Sequence, residues 1–90
     1  MSYQIIRYIA DKPTDYDGGK LLAKGSIQYS REDKNQAEQI LTRVYEMSAN
    51  QKTMQIQKRT RYTFKCENSL HKYFFKVAKG DKKNPEDTYL

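Results

Sequence analysis

Residues 3–10, YQIIRYIA, carry apolar side chains on both alternating rows. Tyr3, Ile5 and Ile9 run with Arg7, and Ile6, Tyr8 and Ala10 form the other row. This density of β-branched and aromatic residues predicts a strand. Two apolar rows predict a strand that is central or covered on both faces. DKPTDYDGG at 11–19 holds Pro13 and an Asp-Gly-Gly run, both turn signals, and predicts a loop. KLLAKGSIQY at 20–29 predicts a second strand. Leu21, Ala23, Ile27 and Tyr29 share one face, and Gly25 on that row marks a candidate bulge. The two strands predict a hairpin.

From Ser30 onward the period changes. Ala37, Ile40, Leu41, Val44, Tyr45 and Ser48 recur at the spacing of one helical face. Lys34, Glu38, Thr42, Arg43 and Glu46 make the opposite, polar face. Ser30 is the expected N-cap, Glu32 and Asp33 suit the positive end of the helix dipole, and Asn50 is a stop signal. The helix is expected over about 31–49.

The period then returns to two. In TMQIQKRTRYTFKC at 53–66, Met54, Ile56, Tyr62, Phe64 and Cys66 lie on one row, interrupted by Lys58 and Thr60. Gln55, Gln57, Arg59, Arg61, Thr63 and Lys65 lie on the other. This predicts one long strand, or two with a bend near 58–60. ENSLH at 67–71 predicts a short loop, and KYFFKVAK at 72–79 a last strand. Its Tyr73, Phe75 and Val77 face the core, and Lys72, Phe74, Lys76 and Ala78 face out.

The expected fold is therefore α+β: a small β-β-α-β-β domain, an antiparallel sheet with one helix packed across one face. Residues 1–79 form the single domain, and 80–90 a polar, mobile tail. The other sheet face is expected to stand open to water or a partner.

Charge sharpens this picture. Residues 1–49 hold seven Lys/Arg and seven acids, a balance of zero. Residues 50–83 hold ten Lys/Arg against Glu67 and Asp81 alone, a net of +8 within a chain of +6. A block of one sign attracts polyanions. Strict alternation puts Arg59, Arg61 and Lys65 of the third strand beside Lys72, Phe74 and Lys76 of the last, all on the open face. Cations around an exposed ring suit nucleic acid: the cations neutralise phosphates and the ring stacks on a base. Lys58 and Lys79 would extend the patch.

Other chemistry finds little footing. Asp11, Asp15 and Asp17 lack the spaced ligands and final bidentate Glu of a calcium loop. One Cys (Cys66) and one His (His71) make neither a disulfide nor a four-ligand zinc site, and no third residue orients them as a catalytic pair. The segment 58–66 lacks the glycines of an RNA-recognition motif, and the chain lacks that motif's second helix. No cofactor is implied.

The expectation is a non-enzymatic binding module for nucleic acid or an anionic nucleotide ligand. The alternative is an interaction protein of a phage or mobile element that inhibits a host protein, such as a defence nuclease, by docking on an acidic or nucleic-acid-binding surface. The lone thiol, an N-terminus interrupted by Arg7, and the absence of a run of roughly 20 apolar residues point to a cytoplasmic location without a membrane span. Exposed hairpin edges leave room for a homodimer.

Overall fold

The computed structural model describes residues 2–10, 22–80 and 88–89. The chain runs β1 (Tyr3–Ala10), β2 (Leu22–Arg31), α1 (Lys34–Ala49), β3 (Gln55–Arg59), β4 (Thr63–Glu67), β5 (Lys72–Lys79) and β6 (Thr88–Tyr89). The strands form one sheet in the order β3-β4-β5-β1-β2-β6, with every neighbouring pair antiparallel. The α+β class with one helix across an antiparallel sheet is as the pattern predicts.

The helix explains the strand order. It leaves β2 at one side of the sheet and delivers the chain to β3 at the other. Its 16 residues measure roughly 24 Å, close to the roughly 19 Å that five strands cover. The β3-β4-β5 meander then returns to the free side of β1. That strand is consequently central, which is why both of its rows are apolar. Ile5 packs under the helix with Ala37, Leu41, Phe64, Cys66 and Phe75. Ile6, Tyr8 and Ala10 join Ala23 in a second buried cluster on the opposite face. The main core is aromatic at its centre. Phe64 and Phe75, a cross-strand pair, stack with centroids 4.5 Å apart, and Tyr45 of the helix meets Phe64 edge-on at 5.5 Å.

Three expectations need correction. The helix begins at Lys34, and Asp33, not Ser30, is the N-cap: its carboxylate accepts from the Asn35 amide at 2.8 Å. Ser30 and Arg31 pair with Gln4 and Tyr3, so the β1–β2 ladder holds these residues and delays the helix. In β2 the bulge lies at Gln28 rather than Gly25. Ile27 stays opposite Ile6, while Tyr29 moves to the helix side opposite Ile5. Of the two readings of 53–66, the structure takes the two strands, joined by a tight turn in which the Thr60 amide donates to the Thr63 carbonyl at 2.8 Å. Finally, the face away from the helix is only partly open, because the second cluster occupies its β1–β2 half.

The 11–19 loop with its three aspartates lies outside the described residues. So does most of the predicted mobile tail, although Thr88 and Tyr89 pair with Ala23 and Leu22. No described helix is long and apolar enough to cross a membrane.

Candidate nucleic-acid interface

One irregularity in the β3–β4 hairpin decides where its cations point. Ile56 lies opposite Cys66, but the next pairs are Lys58 with Lys65 and Arg59 with Phe64. Gln57 is the extra residue, and past it every side chain of β3 changes face. Alternation alone assigns Lys58 to the core row and Arg59 to the open face; the bulge exchanges them.

Arg59 and Arg61 therefore leave the predicted patch and lie against the helix. The Arg59 guanidinium sits 4.1 Å above the centre of the Tyr45 ring, and its Nη2 donates to Thr42 Oγ1 at 3.4 Å. Arg61 Nε meets Glu38 Oε2 at 3.4 Å, and its guanidinium lies 5.3 Å from the Tyr62 ring centre. A planar, weakly hydrated guanidinium suits such stacked positions better than an ammonium does. Lys79 also turns to the helix side, opposite Tyr3.

On the face away from the helix, the ladders line residues up in rows across the strands. One row runs Lys58, Lys65, Phe74, Tyr8. The row on one side of it runs Thr63, Lys76, Ile6, and the row on the other runs Gln55, Glu67, Lys72, Ala10. Neighbouring strands are roughly 4.8 Å apart, so Lys58, Lys65, Lys72 and Lys76 occupy one compact area. Glu67 is the one acid among the described strand residues of this face. It accepts from the Gln57 side chain and pairs with Lys72 at 4.0 Å. Of the six residues expected to share this surface, the structure brings Lys65, Lys72, Phe74 and Lys76 together and adds Lys58.

Phe74 is not a free-standing platform. It is half-buried, stacks on Tyr8 with centroids 5.9 Å apart, and carries the Lys65 ammonium 5.5 Å from its own ring centre. It borders the second buried cluster and holds Lys65 in place.

The helix side has its own surface, which alternation missed. Tyr3, Lys34, Tyr62, Val77 and Lys79 line a groove of about 440 Å³. Asn35, Glu38, Gln39, Thr42, Arg59 and Arg61 line an adjoining hollow of about 380 Å³. Tyr62 is locked here because its carbonyl accepts from the Val77 amide at 2.8 Å. The one available signal was the cation-rich tip itself, Lys58 to Arg61, too short for its alternation to reveal a bulge.

The remaining chemical candidates are placed as follows. Cys66 is buried in the main core, and burial pushes its thiol up to about 11. His71 Nδ1 lies 3.4 Å from the Ala10 carbonyl, and its ring meets Tyr73 edge-on. No group of three metal-ligating side chains occurs among the described residues.

No protein-family model matches the chain, and no curated protein or solved structure matches it.

Proposed function

We propose that this chain is a non-enzymatic module that binds nucleic acid through the lysines of β3, β4 and β5. The observation that carries the reading is the direct cross-strand opposition of Lys58 and Lys65, flanked by Lys76 and Lys72. Like charges directly opposite destabilise a sheet, and a sheet that places them so favours an anionic ligand to neutralise them. A phosphate backbone laid along the row contacts ammonium groups in succession. With Phe74 engaged by Tyr8 and Lys65, binding rests on phosphates rather than on bases, and sequence preference is weak. Lys65, Lys76, Lys58 and Lys72 hold phosphate, and Phe74 positions Lys65.

The test is a fluorescence-anisotropy titration of short single-stranded and duplex oligonucleotides across salt concentrations. Three or four phosphate contacts give a slope of log affinity on log salt of about −2 to −3 for a single strand. Lys58→Gln/Lys65→Gln lowers the affinity and flattens that slope by about one to two. Binding insensitive to salt, or unchanged in the variant, overturns the reading.

The half-buried state of Phe74 also favours a second reading, an inhibitory protein that docks the same lysines on an acidic surface of a host protein. It predicts a stoichiometric complex that survives nuclease treatment, and no affinity for bare oligonucleotides.

A further inference from the structure

The groove at the N-terminal half of the helix carries a separate argument. Four elements converge on it. The start of β1 supplies Tyr3, the end of β5 supplies Val77 and Lys79, the β3–β4 turn supplies Tyr62, and the first helical residue is Lys34. The Tyr62 ring holds two cations, with Lys34 Nζ 4.7 Å and the Arg61 guanidinium 5.3 Å from its centre. Lys34 and Lys79 thus line the groove, and Arg61, which lines the adjoining hollow, stands at its border on the Tyr62 ring. Glu38, an acid of the adjoining hollow, is directed at Arg61 through Oε2, while its Oε1 is buried without a hydrogen-bond partner. Lys34 and Lys79 have no ion-pair partner among the described residues.

We infer that this groove is a phosphomonoester site that takes the phosphate end of a nucleotide. A carboxylate brings one charge, whereas a phosphomonoester brings nearly two and three strong acceptor oxygens. Two ammonium groups in the groove, with a guanidinium at its border, fit the second better. Tyr3 and Val77 form an apolar wall against which the flat base or the sugar packs. A groove of about 440 Å³ accommodates one nucleotide unit. Both the free mononucleotide and the phosphorylated end of a strand supply this chemistry.

The site lies across the sheet from Lys58 and Lys65, so the two proposals fail separately. The full chain is titrated with adenosine 5′-monophosphate and with adenosine, following amide shifts by NMR. It is also titrated with a short oligothymidylate bearing a 5′-phosphate or a 5′-hydroxyl. The phosphate raises affinity about tenfold in each pair, or in the mononucleotide pair alone if only free nucleotides enter. Shifts centre on Tyr3, Tyr62 and Val77. Lys34→Gln/Arg61→Gln, two exposed positions, brings each pair within about twofold, while Lys58→Gln/Lys65→Gln preserves the advantage. No phosphate advantage in the wild type, or one that survives Lys34→Gln/Arg61→Gln and vanishes with Lys58→Gln/Lys65→Gln, overturns the inference. If the hydroxyl oligonucleotide fails to bind at all, the open-face reading falls and the mononucleotide arm still decides this one.

Discussion

Lys58 and Lys65 stand directly opposite each other across the β3–β4 ladder, on the sheet face away from the helix. Their repulsion is a standing cost to the fold, so stability and binding make opposite demands on this pair. Lys58→Glu turns it into an attractive pair. The domain gains about 0.2–1 kcal/mol, measured by urea denaturation, while affinity for oligonucleotides falls. A variant that loses stability, or gains it and binds as well as before, contradicts the role given to this pair.

Arg59 acts on the other side. Its stacking on Tyr45 is a structural contact between an edge strand and the helix. A double-mutant cycle of Arg59→Ala and Tyr45→Leu gives a coupling of about 0.5–1 kcal/mol. Arg59→Gln leaves oligonucleotide affinity far closer to wild type than Lys65→Gln does. Zero coupling with a large loss of affinity restores Arg59 to the open-face site.

The helix start is testable by two neighbouring substitutions. Asp33→Ala removes the acceptor for the Asn35 amide and costs about 1 kcal/mol. Ser30→Ala, in β2, stays within about 0.5 kcal/mol of wild type. The reverse result in thermal or urea melts would place the cap at Ser30.

Cys66 sets an alkaline limit. Burial raises its thiol from 9.0 to about 11, so the unfolded chain releases the proton first. The contribution is fully present below about pH 9 and is lost as pH rises towards about 11, a change on the order of 2–3 kcal/mol. Burial raises Tyr8 as well, so its effect adds in the same direction at higher pH. Denaturation midpoints from neutral to alkaline pH fall less steeply above pH 9 in Cys66→Ala than in wild type, each relative to its own neutral value. Equal slopes remove Cys66 as the cause.

Phe64 is among the most buried large side chains of the chain, stacked on Phe75 and met edge-on by Tyr45. Phe64→Ala leaves a cavity the surrounding strands cannot close and costs about 3–5 kcal/mol. Phe74→Ala, at the border of the smaller cluster, costs clearly less and lowers oligonucleotide affinity by loosening Lys65.

Local pattern determined much of this protein by itself. The helical face of Ala37, Leu41, Val44 and Ser48, the central place of the first strand and the core row of the last follow from spacing. Each side chain there answers to a period that backbone geometry imposes. The crowding of cations after residue 50 is equally a property of the sequence. Tertiary structure decided which way those cations point. One extra residue at Gln57 carries Arg59 to the helix and brings Lys58 beside Lys65, and one at Gln28 separates Tyr29 from Ile27. A bulge answers to the register of the partner strand and the fit of the helix above it, which no local pattern contains. The groove of Tyr3, Lys34, Tyr62 and Lys79 is of the same kind, because its members come from four elements that meet only when the helix crosses the sheet.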